Sequence, residues 1–535
     1  MQMMKQVMGY RIRRWVFVTG LITAAAAGCS KPQESTMTHY DVLIVAGIVY
    51  DGGPQPGRKT NIGIIGDRIV SMDVPLQAAA DRIIDASGQL VVPGFIDPHT
   101  HAGVDLRDAS RKTNINYLMQ GVTTVFIGND GDGVSDLDGT LRLLKKQGIG
   151  TNVAFFAGHG DIREQVMGLE NRAPTEDELQ QMLALTEEQM RAGAVGLSTG
   201  LYYTPGSFSA TDEVVAFARV AAEFGGVYDT HMRDESSYTI GLLASVEETI
   251  TIAAEAGIPV HISHLKALGR EVWGQSGDVI AMVNAARARG MKVTANQYPY
   301  RASGTRFSAA LIPGWVRADS EEAMFERLEN EDLKDRIREE METNLWRRGG
   351  AEAMLVTGTD SQWRGMTLAD IAASMQRDSL DAAVEVVRAG DPSIASFVME
   401  VPDIQAIALQ DWVMTGSDGS EGHPRKYASY PKAFQDMVVM AKLFPVERFV
   451  HRSSGLVADT FNLCDRGYLE EGRKADIVVL DINNYLPLAD FENPTKLSSG
   501  VVHALVNGIA VISNGEQTGA LPGAVIHRQQ LECET

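Results

Sequence analysis

Eight short apolar runs, each ending on polar residues and each separated from the next by a stretch long enough for a helix, recur between residues 91 and 418. They read VVPGFID, TTVFIG, NVAFFAG, AVGLSTG, GVYDTH, PVHISH, KVTANQYPY and WVMTGSD. Short apolar runs bounded by turn signals read as buried strands, and strands alternating with helices build a parallel sheet. Eight such units over about 320 residues suggest a closed barrel in the upper part of that fold's size range.

The flanks follow a different pattern. Residues 41–50 (DVLIVAGIVY) and 62–69, then 475–480 (ADIVVL), 501–506 and 508–513, are short β-branched runs punctuated by Gly and Asp. The expected fold is therefore α/β: a (β/α)8 TIM barrel over residues 93–467, with a small β-sandwich domain formed by both chain ends (40–92 and 468–535). Residues 301–355 break the rhythm. This stretch is rich in Glu, Arg and Met, and is expected to form a helical insert over the barrel mouth.

The amino terminus carries Lys5, Arg11, Arg13 and Arg14 and no acidic residue before Cys29. An apolar stretch at 15–28 (WVFVTGLITAAAAG) follows, too short to span a membrane comfortably and suited to a secretory signal. Residues 1–29 resemble a bacterial lipoprotein signal with Cys29 as the lipidated residue, although Ala26 stands where Leu is usual. Simple cleavage after a small residue is the other reading. Residues 30–39 read as a tether. An exported periplasmic or cell-envelope lipoprotein, touching the membrane only through its lipid, is expected; a soluble secreted enzyme is the alternative. Cys464 and Cys533 are too few for a disulfide framework, and Cys464 in FNLC reads as a buried small hydrophobe.

The chain has 535 residues, 44% of them hydrophobic, which excludes a disordered chain. With 48 Lys+Arg against 69 Asp+Glu, its net charge of −21 opposes nucleic-acid binding, because phosphates would be repelled. Barrels of this type carry their chemistry at the carboxyl ends of the strands. Those ends hold His99, His101, Asp130, His159, His231, His264 and Asp418. In PGFIDPHTH the two histidines are two apart, so extended backbone turns both imidazoles to one side. Two later strand-end histidines and a strand-end Asp complete a set suited to a hydrolytic metal site. For His159 alone, a satisfied core histidine is an equal reading.

Several stretches carry a closer likeness: GVTTVFIGNDG, FFAGHGDIREQVMG, GAVGLSTGLYYTPGSFSATDE, GGVYDTHMRDE, PVHISHLKA, HPRKYASYPKAF and RGYLEEGRKADIVVLD. From Tyr40 to about Ile526 the chain resembles the amidohydrolase superfamily, and within it the N-acyl-D-amino-acid deacylases, or D-aminoacylases. The resemblance implies hydrolysis of N-acyl-D-amino acids by metal-activated water. It makes His99, His101, His231 and His264 metal ligands and Asp418 the general acid/base. Tyr203, Lys266 and Arg425 would hold the carboxylate of a small-molecule N-acyl amino acid, and His159 would support the ligands. One or two Zn2+ ions are implied, with Mn2+ or Co2+ as alternatives. Oligomeric state is left open.

One departure bears on the metal. The family commonly reads GNCG, with Cys as a zinc ligand; this chain reads GNDG, with Asp130. The fourth strand has no Lys to carbamylate and NVAFFAG offers no Glu, so Asp130 is the leading anionic ligand. A loop-capping Asp is the other reading. Lys266 can equally be a solvated helix-start residue, and Arg425 a structural ion pair. The rival functions are cyclic-amide or dipeptide hydrolysis of the hydantoinase, dihydroorotase or isoaspartyl dipeptidase type, and a non-catalytic binding lipoprotein. The missing bridging Lys and the HPRKY segment argue against the first, and the intact His set against the second.

Overall fold

The structure, a computed structural model, describes residues 38–134 and 136–528. The expected signal, most of the expected tether, Cys29 and Cys533 lie outside the described residues. Eight parallel strands form the barrel: β1 (Phe95–Asp97), β2 (Val122–Ile127), β3 (Asn152–Phe155 continued by Ala157–Gly158), β4 (Gly196–Gly200), β5 (Val227–His231), β6 (Val260–Ile262), β7 (Val293–Gln297) and β8 (Val413–Thr415). Each pairs in parallel with the next. Between β8 and β1 a parallel bridge joins Thr100 and Gly419, and the Asp418 N–H donates to the His99 carbonyl at 3.0 Å. Every residue of β2, β4, β5 and β7 is buried. Burial on both faces is why β2 reads as an unbroken run, VTTVFI, while β5 and β7 carry the buried polar residues Asp229, His231, Asn296 and Gln297.

The helices between them close with local chemistry. The helix Glu176–Arg191 starts on a capping box, with the Thr175 side chain accepting from the Glu178 N–H and Glu178 reaching back to the Thr175 N–H. The helix Leu242–Ala256 ends at Gly257 in the left-handed region (φ 67°), a conformation cheapest for glycine.

Both chain ends build the β sandwich. One sheet holds Arg68–Met72, Ile62–Ile65, Tyr40–Val45 and Ala80–Asp85; the other runs from Glu516–Gln517 through Ile477–Leu480 and Leu90–Pro93 to Arg58–Lys59. Ile44, Ile64, Ile69, Val91, Ile477 and Val479 pack between them. The carboxyl-terminal segment does not stay in this domain. Residues 522–525 return to the barrel, where they bridge Ile149 and Val153.

The insert is larger than the sequence rhythm predicts. It begins at the strand Ala302–Arg306 and continues to the strand Ser393–Phe397, which pairs with it antiparallel; Met354–Val356 pairs on the other side. Five helices cover this sheet around a core of its own. Residues 356–397 resemble a barrel unit because the helices Leu368–Met375 and Ser379–Arg388 are amphipathic and precede an apolar strand. The antiparallel pairing is what removes that strand from the barrel. Cys464 differs from expectation too: it is half-buried and disulfide-bonded. Among the described residues no helix is long and apolar enough to cross a membrane.

Candidate metal centre

The strand ends bring the expected ligands together. His99 and His101 follow β1, Asp130 follows β2, His231 closes β5, His264 follows β6 and Asp418 follows β8. Asp130 Oδ2 lies 3.4 Å from His99 Nε2 and 3.5 Å from His101 Nε2. Its Oδ1 lies 3.3 Å from His264 Nε2 and 3.5 Å from His231 Nδ1. Asp418 Oδ1 faces the first pair, 3.3 Å from His101 Nε2 and 3.6 Å from His99 Nε2. Two donor groups result, His99–His101–Asp130–Asp418 and Asp130–His231–His264, sharing one carboxylate.

Backbone strain marks the same positions. Asp130, His264 and Asp418 have φ of 58°, 36° and 48°, the left-handed region that residues with a Cβ seldom occupy. Neighbouring side chains hold them there. Asn296 Oδ1 accepts from the His264 N–H at 2.9 Å. Beside Asp130, the Asn129 amide donates to the Pro98 carbonyl at 3.0 Å and to Asp229 at 3.2 Å. A Cβ at Gly200 on β4 would collide with the Asp130 carbonyl, so this loop can close on the barrel only against glycine.

The donor set fits a metal. His99 Nε2 and His231 Nδ1 are buried without a hydrogen-bond partner, yet both stand within 3.5 Å of the shared carboxylate. A buried polar atom left unpaired is costly unless something satisfies it, and a cation between imidazole and carboxylate does so. Glu235, which sequence reasoning did not single out, lies behind the second pair. Its Oε1 is 3.0 Å from His264 Nδ1 and accepts from Lys266 Nζ at 2.6 Å, while Oε2 is 3.7 Å from His231 Nε2. Burial opposes its ionisation, but Lys266 and the two imidazoles outweigh burial and hold its carboxyl well below the usual range.

A cavity of about 440 Å³ opens over these groups. Tyr203, Lys266 and Arg425 all line it, together with Ser303, Thr305, Arg317 and Arg348 of the insert. Arg425 is nevertheless ion-paired, its Nη1 2.8 Å from Asp418 Oδ2, and Lys266 is buried against Glu235. The alternative of a solvated Lys266 is thus not what the fold presents. His159 stands apart from the ligands. It is absent from the cavity wall and pairs with Glu213 at 3.0 Å, in a buried cluster completed by Arg163. Glu213, on the helix Thr211–Glu223 after β4, accepts from Arg163 through both oxygens and draws the ring there.

Comparison with known proteins agrees with this geometry. Residues 82–512 match the model of the amidohydrolase family. The chain is 32% identical to a D-aminoacylase of Alcaligenes xylosoxydans xylosoxydans, covering 92% of this chain and 99% of that one. Among solved structures, a D-aminoacylase described for its binuclear metal centre superposes with a TM-score of 0.78 at 30% identity, covering 91% of this chain and 100% of the other. The N-acyl-D-glutamate deacylase of Bordetella bronchiseptica, solved with zinc and a phosphonate mimic of the tetrahedral intermediate, superposes at 0.79 and 30% identity, covering 92% and 100%. Barrel, donor set and these likenesses agree: the chain belongs to the amidohydrolase family, in its D-aminoacylase branch.

Proposed function

We propose that this chain hydrolyses N-acyl-D-amino acids to a carboxylate and a free D-amino acid. The observation that carries the reading is the placing of four imidazoles about Asp130, with Asp418 against the same rim, at the carboxyl ends of the barrel strands. His99, His101 and Asp418 would hold one ion, His231 and His264 another, with Asp130 between them. Imidazole and carboxylate donors suit zinc, manganese and cobalt, and we favour zinc. When bound, the metal supplies Lewis acidity toward water and toward the amide carbonyl.

Asp418 carries the proton. Burial would raise its carboxyl, but Arg425 and the neighbouring imidazoles outweigh burial and hold it well below the usual range. It therefore starts ionised and acts first as a base. The ion pair through Oδ2 leaves Oδ1 facing the histidine rim, to take a proton from water and return it to the departing nitrogen. Tyr203, Lys266 and Arg425 share a wall of the cavity and would bind the substrate's α-carboxylate.

Metal analysis with a panel of N-acetyl-D- and L-amino acids, hydantoins and β-aspartyl dipeptides tests this reading. Turnover confined to the cyclic or dipeptide substrates would overturn it. Asp418→Asn is expected to abolish turnover while metal is retained. The signal-like amino terminus supports export with a lipid on Cys29, and labelling with a radioactive fatty acid, lost in Cys29→Ala, tests that placement.

A further inference from the structure

Asp418 is held from two sides. Its Oδ1 faces His101 and His99, and its Oδ2 meets the Arg425 guanidinium at 2.8 Å. Arg425 has few other contacts to fix it. Its Nη2 donates to Ser420 Oγ at 3.0 Å and the guanidinium lies 4.8 Å from the Tyr298 ring centre. The buried Nε finds no hydrogen-bond partner among the described residues. Its place over the cavity is therefore set largely by the backbone that carries it, the first turn of the helix Arg425–Ala433. That turn has no side-chain cap, and Pro431 offers no N–H to the Tyr427 carbonyl, which accepts from Ser498 Oγ at 2.8 Å. Tertiary contacts must hold it.

Lys426, the next residue, supplies those contacts. Its carbonyl accepts from Asn116 Nδ2 at 3.1 Å and from Gln120 Nε2 at 3.0 Å. Its Cα packs on Gly419, beside Asp418, where an added Cβ would come within 3.2 Å of it. Its side chain, 6% exposed, ends 2.5 Å from Asp105 Oδ2. Asp105 is as deeply buried and stands in the short helix Gly103–Arg107, just after the His99–His101 segment. Two ties thus join the end of β1 to the end of β8. The inner one runs His101–Asp418–Arg425 through the site. The outer one, Asp105–Lys426, lines no part of the cavity. Withdrawing two charges from water seldom adds net stability, so stability alone is a poor account of an ion pair placed here.

We propose that Lys426 and Asp105 are positioning residues. Their ion pair fixes the spacing between the His99–His101 segment and the turn that carries Arg425. It thereby holds Asp418 where one oxygen can take a proton from water and return it to the departing nitrogen, and holds Arg425 over the place of the substrate's α-carboxylate. This role rests on the deacylase reading and extends its machinery beyond the residues that touch substrate.

The test uses Lys426→Met in the full, metal-loaded chain. Asp105 keeps Arg111, whose Nη1 is 2.9 Å away, so no bare carboxylate is left buried and the variant is expected to fold. Should it not, Lys426→Gln, which keeps a donor for Asp105, carries the same comparison. Misplacing a reacting group by about 1 Å can cost about 100-fold. For the N-acetyl-D-amino acid that the parent turns over best, kcat/KM per metal-loaded chain is expected to fall by about 10- to 100-fold, with kcat lowered and KM raised. Preference for that substrate over its carboxamide, which lacks the charge Arg425 reads, should narrow in step. Lys426→Arg, which keeps the ion pair, should recover most of the loss. The losses in Asp105→Asn and Lys426→Met should not add in the double variant, because one pair is removed either way. A purely structural tie would lower the unfolding midpoint and leave kcat, KM and the carboxamide preference at the parent's values, and that outcome overturns the proposal. So do additive losses. Absence of turnover on every N-acetyl-D-amino acid by the metal-loaded parent would defeat the deacylase reading instead. The positioning role is then read from the visible spectrum of the Co2+-loaded protein, which Lys426→Met should shift by moving Asp418 against its histidines; an unaltered spectrum would overturn it.

Discussion

A carboxylate has two oxygens, and Asp130 directs them to different histidine pairs, Oδ2 to His99 and His101 and Oδ1 to His231 and His264. A turn-capping Asp would spend them on backbone N–H groups. Asp130→Ala should therefore lower the bound metal and the activity together, and unchanged stoichiometry by elemental analysis would remove it as a ligand. Glu235 makes a separate prediction. It lies 3.0 Å from His264 Nδ1 and 3.7 Å from His231 Nε2, the nitrogens that face away from Asp130, and so braces the first ring and stands behind the second. Outer partners of metal-bound histidines typically contribute about 10- to 100-fold in metal affinity. Glu235→Gln should weaken binding by that order in a chelator competition, which reads affinity independently of turnover. An affinity within about twofold of the parent would show that the rings need no such brace.

At the scale of elements, β1 and β8 are only three residues each, too short to close a barrel by backbone pairing alone. Side chains complete the seam. Asp97 Oδ1 accepts from the Ser417 N–H at 3.0 Å, and Tyr430, on the helix Arg425–Ala433, places its hydroxyl 3.1 Å from the Ile96 carbonyl and 3.2 Å from that of Thr415. Tyr430→Phe removes the one hydroxyl proton that these two buried carbonyls share and should cost about 1–3 kcal/mol, read from urea unfolding. An unchanged midpoint would show the seam is held elsewhere. The strands of this barrel were legible in the sequence because burial on both faces writes itself as an apolar run, and the polar residue ending each run is where loops begin. The far half of the insert was not, because an antiparallel partner for Ser393–Phe397 lies about 90 residues upstream and amphipathic helices look alike in either setting. Glu235 was illegible for a related reason. Its sequence context, HMRDE, gives two acids in a loop, and only the approach of β6 carries Lys266 and His264 to one of them. Arg425 was readable as a pocket cation or an ion pair, and the fold makes it both.

Across the whole molecule, the carboxyl-terminal half of the sandwich and the returning tail meet strand β3 of the barrel at a buried node. Asp476, just before the strand Ile477–Leu480, accepts from Asn152 Nδ2 of β3 at 3.0 Å, from Arg466 Nη1 at 2.7 Å and from the Asn507 N–H at 2.7 Å. Asn152 in turn accepts from Asn507 Nδ2 at 2.8 Å and from the Ala524 N–H of the returning tail at 3.1 Å. Sandwich, barrel strand and carboxyl-terminal tail thus share one polar network, on the side opposite the ligand-bearing strand ends. Asp476 and Arg466 are each 4% exposed, so neither charge can be repaid by water if the other is lost. Arg466 keeps a second partner in Asp465, at 2.9 and 3.1 Å, so what Asp476→Ala takes away is the acceptor of Asn152 Nδ2 and of the Asn507 N–H. Buried donors left unpaired cost about 1–3 kcal/mol. Asp476→Ala should lose stability of that order in denaturant unfolding, whereas Arg466→Met, which takes away a charge but leaves Asp476 hydrogen-bonded to Asn152 and Asn507, should lose less. Because the node is remote from the cavity, KM and metal content of whatever Asp476→Ala protein remains folded should match the parent. A variant as stable as the parent would show that the sandwich and barrel hold together through their apolar cores alone.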